Sequence, residues 1–320
     1  MSYEKVDQLS VTQIGEVTSL NKFSDNLEII RSLSHGYHEI FLVNNKTLNQ
    51  DCVIKIFPQQ VPNQPSENFL KELRVKDLNS PNVIKILDYE IQTEIIINNQ
   101  PVISSYILME YAPYKDLLNL ISKEGSDIDD VFIRTLFHEI VKGIEYLHSE
   151  GIYHLDIKLE NILIGENFQL KIADFDNCYK MSDGRISFRG TECSRAIEIA
   201  RGKCQDPSAA DIYSMGVILF ALKTGGTFPH TEGKNIGKIN LYNLLENKPE
   251  EFWIVHSLLL KKSSEYFDND FKNLFMSMVE KNPQKRATIA DIKNSAWFKK
   301  EIYSKDEMIQ IMKKKLLRDL

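Results

Sequence analysis

The sequence predicts an α+β fold, a strand-rich N-terminal third followed by a mainly helical remainder. Three observations carry this. As far as Glu110 the apolar residues fall in short β-branched runs separated by polar turns. Beyond Pro113 they recur at three- and four-residue steps, the spacing of one helix face. The change of pattern falls near residues 111–113, which marks a junction between two parts; a cleft between two such parts commonly receives a ligand.

In chain order, residues 27–33, 38–43 and 52–57 read as strands, with the polar turn 44–51 between the last two. Residues 58–65 are proline-rich and break the pattern. Ser66 is a suitable N-cap for a helix through about Leu78, with Pro81 beyond its end. Strands at 83–91 and 103–110 follow, joined by a turn at 98–101. In 129–149, Phe132, Leu136, Ile140, Ile144 and Leu147 share one helix face, and Gly151 stops it. Residues 162–164 and 170–173 form a small hairpin. Helices are expected at 208–224, 268–280 and 288–295. Within 299–320, Ile302, Met308, Ile309, Met312, Leu316 and Leu320 recur at near-helical steps beside Lys313-Lys314-Lys315. Such a basic amphipathic helix either packs its apolar side on the domain, the commoner arrangement, or receives a regulatory protein.

The 320 residues suffice for one large or two modest domains, and 42% hydrophobic with 26% charged residues is an ordinary globular composition. A formal charge of −6 argues against nucleic acid as a partner. No apolar run approaches the ~20 residues that span a bilayer, so no membrane association is expected. Residues 1–10 lack an apolar secretory core, which predicts the cytoplasm or nucleus. Cys52, Cys178, Cys193 and Cys204 show no C-x-x-C spacing, and reduced thiols are expected. No D-x-D-x-D-G calcium loop occurs.

Two constellations carry chemistry. Lys55 lies among Val53, Ile54, Ile56 and Phe57, where a charge needs a partner. Glu72 on the next helix can supply one. Glu67, nearer the helix start, is explained by the helix dipole. A lysine on a strand is usually a solvated charge, so the pair, and not Lys55 alone, is the signal. More specific is His154-Leu155-Asp156-Ile157-Lys158-Leu159-Glu160-Asn161, with Asp174-Phe175-Asp176 one hairpin later. A carboxylate, an ammonium and an amide on one loop, plus a second carboxylate, are what phosphoryl transfer requires to orient a hydroxyl and to hold magnesium on nucleotide phosphates.

The first run differs at two places, Leu155 and Ile157, from the catalytic loop H-R-D-L-x-x-x-N, and the second at one from D-F-G. The chain resembles the eukaryotic protein kinases, of serine/threonine type. That resemblance implies a bilobal fold, with a small five-stranded antiparallel sheet and one helix before a larger, mainly helical lobe. It divides the chain into an extension (1–22), a kinase domain (23–298; N-lobe about 23–110, hinge 110–113, C-lobe 114–298) and a C-terminal amphipathic helix (299–320). It implies ATP and Mg2+ as cofactors and a protein as substrate. Asp156 would accept or orient the substrate hydroxyl proton, Lys158 would neutralise γ-phosphate charge, and Asn161 and Asp174 would ligate metal. Lys55 and Glu72 would hold the α- and β-phosphates. Met109 resembles the gatekeeper, with the backbone of Glu110 and Ala112 facing adenine and Asp116 on the ribose. His154 would pack beside Phe175. Gly190-Thr191 resembles the start of the substrate-docking segment, and Ala196-Ile197-Glu198 stands where A-P-E is expected. Asp211 would brace the catalytic loop, and Arg286 would pair with Glu198. Lys158 and Thr191 favour serine/threonine over tyrosine as acceptor. Lys-Leu-Glu-Asn within the loop is similar to the calmodulin-dependent group.

The pattern breaks at the phosphate loop, at Leu155 and at Asp176, and more mildly at Ile197, which stands in place of proline. The phosphate-covering loop G-x-G-x-x-G-x-V is represented by residues 33–40, where the glycine places hold Leu33, His35 and His38 and only Gly36 remains. A Cβ there obstructs close approach of backbone N–H groups to phosphate, so weaker ATP binding is expected. Leu155 replaces an arginine that pairs with a phosphorylated segment, so ordering by that route is excluded. Asp176 replaces the glycine of D-F-G. An active kinase is the first reading; a pseudokinase, acting as a nucleotide-binding or scaffolding module, is the alternative.

Overall fold

The computed structural model describes residues 26–33, 38–59, 61–97, 100–186, 189–230 and 240–317. Gly36 and the extension 1–22 lie outside them. The chain divides into two compact units, one up to Phe69 with Leu87–Glu110, the other Leu70–Ile86 with the chain from Tyr111 onward.

The first unit is built on one sheet of five strands, β1 (Leu27–Ser32), β2 (Glu39–Asn45), β3 (Gln50–Pro58), β4 (Ile86–Ile97) and β5 (Gln100–Glu110), in the order β1-β2-β3-β5-β4. Alternation of side chains puts Phe41, Val43, Cys52, Ile54, Ile56 and Leu108 into one core, with Ile95 beside them. Each such side chain contributes about 1.5–3 kcal/mol on burial. Lys55 sits mid-sheet, opposite Ile40 on β2 and Ile107 on β5.

Helix α1 (Glu67–Glu72) starts where expected, with the Ser66 hydroxyl accepting the Phe69 N–H at 3.2 Å, but it ends early. Leu73–Val75 tighten into a 3-10 turn, closed by Lys76 N–H on Leu73 O at 3.1 Å. The tighter turn accompanies full burial of Val75 and sends Arg74 toward Asp183; tertiary contacts override local propensity here. The expected strand at 83–91 is also displaced. Ile84 N–H and Asn82 O bond to Ile172 O and N–H at 2.9 Å, so 82–84 extend a different sheet and β4 begins only at Ile86.

The second unit is mainly helical: α2 (Leu117–Glu124), α3 (Asp130–Ser149), α4 (Ile197–Ala200), α5 (Pro207–Thr224), α6 (Leu241–Asn247), α7 (Pro249–Leu259), α8 (Asn269–Met278), α9 (Ile289–Asn294) and α10 (Lys305–Leu316). Two small antiparallel pairs complete it, β6 (Ile152–Tyr153) with β9 (Tyr179–Lys180), and β7 (Ile162–Ile164) with β8 (Leu170–Ile172). The predicted face of α3 is buried throughout, and Asp129 caps it by accepting the Phe132 N–H at 2.8 Å. Helix α5 is buried on all sides, with Asp206 as cap, Pro207 in its first turn and Gly225 in the left-handed region at its end. Phe220 of α5 meets Phe252, Trp253, Phe267 and Phe275 in an aromatic cluster of this unit.

Helix α10 turns Met308 and Met312 inward, leaves Lys313 and Lys314 exposed, and pairs Lys315 with Glu124. Among the described residues no helix is long and apolar enough to cross a membrane.

Burial lowers three histidines of the second unit, His138, His230 and His256, the last two most strongly. Burial pushes His230 and His256 down to about 4; Glu246 opposes the shift at His230, and the Pro229 carbonyl opposes it at His256. The unfolded chain takes up protons at these positions below about pH 6.5, whereas the folded chain resists until about pH 4. Stability is therefore expected to fall as the pH drops from 6.5 to 4, by on the order of 3 kcal/mol per histidine. Urea midpoints measured across that range test this, and midpoints that stay level would contradict it.

Candidate active site

The second unit gathers the catalytic-loop residues around one carboxylate. Asp156 Oδ1 accepts the Thr191 N–H at 2.8 Å and the Thr191 hydroxyl at 2.6 Å. Lys158 Nζ donates to the same hydroxyl at 3.0 Å and lies 3.5 Å from Asp156 Oδ2. Asn161 Nδ2 donates to the Asp156 carbonyl at 3.0 Å. That bond commits the amide nitrogen to the loop, so the oxygen is the atom offered to a cation. Asp156, Lys158, Asn161 and Thr191 thus converge, although Thr191 lies 35 residues from Asp156.

The loop is braced from below. Asp211, fully buried, accepts the N–H of His154 at 2.9 Å and of Leu155 at 2.8 Å, and contacts His148 Nε2 at 2.8 Å. Leu155 needs this support. Its φ is +59°, a left-handed conformation that costs a non-glycine residue roughly 1–2 kcal/mol. His154 Nε2 lies 3.0 Å from the Ala173 carbonyl, and its Nδ1 lies 3.3 Å from the Asp156 N–H. A carbonyl can only accept and an N–H can only donate, so the proton belongs on Nε2. Its ring stands 5.0 Å from that of Phe175, as a packing role requires. Gly190 has φ +84°, and a Cβ there would collide with Leu155 O. The chain at this position can therefore lie against the loop only as glycine.

Phe175 N–H donates to Glu72 Oε2 at 3.2 Å, and oxygens of Glu72, Asp174 and Asp176 all lie within 4.8 Å of one another. Hard oxygen donors of this kind suit a magnesium ion. Asp174 has φ +66°, which aspartate tolerates better than most residues. Farther off, Arg286 is bidentate to Glu198 at 2.5 and 3.1 Å.

Of the remaining predicted residues, Lys55, Met109 and Glu110 belong to the first unit. Lys55 is buried in β3, 5.3 Å from the Phe57 ring centre. Met109 is buried opposite Val53, and Glu110 faces Cys52, both on β5. Ala112 is buried just beyond. Asp116 Oδ1 caps α2, accepting the Asn119 N–H at 2.7 Å.

Arg74 and Asp183 escaped the sequence reading. Arg74 donates to both Asp183 oxygens, at 2.6 and 2.7 Å, and to the Cys178 carbonyl at 3.2 Å. Burial alone would raise the Asp183 carboxyl, but the Arg74 hydrogen bond and the Lys180 N–H hold it below the usual carboxylate range. The pair lies 109 residues apart, and no spacing announces it. It ties the segment after Asp174 to the turn after α1 without a phosphate, while Leu155 leaves no arginine in the catalytic loop to bind one. Phosphatase treatment is expected to change the reaction rate by less than about twofold, since a bidentate arginine–carboxylate pair already supplies the anchoring charge. Comparison of treated and untreated protein checks this, and a loss of most of the rate would refute it.

A family model described as the protein kinase domain matches residues 32–298. The chain belongs to this family. Its relatives include serine/threonine kinases. CBL-interacting protein kinase 26 of Oryza sativa subsp. japonica is 30% identical over 285 residues, covering 86% of this chain and 52% of that protein. CBL-interacting serine/threonine-protein kinase 10 of Arabidopsis thaliana is 28% identical over 305 residues, 90% of this chain and 56% of that protein. Mitogen-activated protein kinase kinase kinase 18 of Arabidopsis thaliana is 40% identical over 164 residues, half of this chain and 48% of that protein. The kinase domain thus accounts for most of a chain that spans about half the length of these relatives.

Proposed function

We propose that the chain transfers the γ-phosphoryl group of ATP to serine or threonine hydroxyls of protein substrates. The observation that carries this reading is the closed arrangement of Asp156, Thr191 and Lys158. It presents a carboxylate oriented to take a proton from an incoming hydroxyl, with an ammonium beside it to meet phosphate charge. A magnesium ion held by Asp174 and Asn161 would neutralise charge developing on the phosphates. Lys55, buried in an apolar strand, would pair with the α- and β-phosphates, and the backbone of Glu110 and Ala112 would face adenine. Asp156 keeps the substrate hydroxyl oriented, and the Asp211 bonds to His154 and Leu155 keep Asp156 in place.

The test is phosphate transfer from radiolabelled ATP with magnesium to a serine/threonine peptide library, with Asp156→Asn and Lys55→Met as controls. Transfer by the wild type that both controls abolish supports the reading. Nucleotide binding without transfer above the Asp156→Asn background would instead favour a pseudokinase that binds or scaffolds.

A further inference from the structure

Asp156 has a second support, on the oxygen that Thr191 does not touch. Asn177 Nδ2 lies 3.3 Å from Asp156 Oδ2. Asn177 is in turn held by its own backbone. Its carbonyl accepts Arg189 Nη1 at 3.1 Å, and the next carbonyl, of Cys178, accepts from Arg189 at 3.3 Å and from Arg74 at 3.2 Å. The side-chain amide is thus aimed at the carboxylate by a turn that two arginines fix.

The torsion between Cβ and the carboxyl carbon of an aspartate is broad and shallow. The carboxylate turns about that bond as one rigid plane, so donors on both oxygens narrow its rotation more than donors on one. Thr191 supplies two donors to Oδ1, while Oδ2 has Lys158 at 3.5 Å, beyond the range of a strong hydrogen bond. An amide N–H on Oδ2 turns that hinge into a two-point mount and adds no formal charge beside the reacting oxygen. Oδ2 retains a lone pair for the acceptor hydroxyl, since a carboxylate oxygen can take two donors.

We propose that Asn177 is a positioning residue for phosphoryl transfer, fixing the rotation of the Asp156 carboxylate so that one Oδ2 lone pair meets the acceptor hydroxyl. This rests on the phosphotransferase reading above. It assigns a role to the residue that directly follows Asp174-Phe175-Asp176, one that neither the spacing of the motifs nor the metal donors required.

The experiment uses the full chain with ATP, magnesium and the best peptide from the library. Asn177→Leu removes the N–H at nearly constant volume, and Asn177→Gln retains an amide on a longer stem. Asn177→Leu is expected to lower kcat about tenfold, with KM for ATP and peptide within twofold of wild type and the thermal midpoint unchanged, because positioning acts on the transition state and not on binding. Asn177→Gln is expected to recover most of that loss. Wild-type kcat in Asn177→Leu would overturn the proposal, as would equal losses in both variants, which would indicate a merely structural contact. A wild type no more active than Asp156→Asn is a different result: it refutes the phosphotransferase reading itself.

Discussion

Asp156→Asn is expected to reduce kcat by about 10³-fold while leaving ATP affinity within a few-fold of wild type. The substitution preserves shape, so Thr191 can still donate to one oxygen at the position that now accepts it at 2.6 and 2.8 Å. It removes the negative charge that faces Lys158 and the basicity needed to take the hydroxyl proton. It also points an amide NH2 toward two other donors, Lys158 at 3.5 Å and Asn177 at 3.3 Å, so the rotated carboxamide has no orientation that satisfies every neighbour. Steady-state kinetics with calorimetric ATP binding separates the two effects. A loss confined to KM would show that Asp156 serves binding and not proton transfer.

The largest effect on stability is expected at Arg286. Its side chain has no solvent exposure, that of Glu198 only 9%, and besides the bidentate pair it donates to Ala209 O at 2.7 Å and to Glu280 O at 2.9 Å. Arg286→Ala strands a buried carboxylate and two carbonyls together. Breaking one side of such a pair costs about 3–5 kcal/mol. A drop in thermal midpoint on the order of 10 °C is expected at this chain length. The double variant Arg286→Met with Glu198→Gln should lose less than Arg286→Ala alone, because no uncompensated charge remains. Urea unfolding of wild type and both variants decides the point; a double variant that loses as much as Arg286→Ala would mean that the stranded charge is not the cause.

How far the sequence reveals the fold depends on how each element is stabilised. Strands β1 to β3 and helices α3, α5 and α8 follow period-2 or period-3.6 patterns or carry cap residues, and their ends fall within a few residues of those expected. Helices α6 and α7 have no counterpart in the sequence reading. In α7 the exposed side carries Ile254, Leu258 and Leu259 while the buried side carries Phe252 and Trp253, so apolar residues surround the helix and no face stands out. Helix α2 is short, and its cap, Asp116, reads from sequence as a binding residue. The catalytic loop is legible because its chemistry demands fixed local spacing. Arg74, Asn177, Asp183 and Arg189 are not, because each acts across a fold-dependent distance with no motif to mark it.

The Thr191 hydroxyl gives its proton to Asp156 while receiving one from Lys158, and the same residue's N–H reaches Asp156 as well. Three of the contacts that align Asp156 and Lys158 are therefore made by the single residue Thr191. Should the stretch around Thr191 melt, the carboxylate and the ammonium lose their alignment in the same event. If the proposed function holds and this stretch also receives the target peptide, recognition and turnover are expected to rise and fall as one quantity.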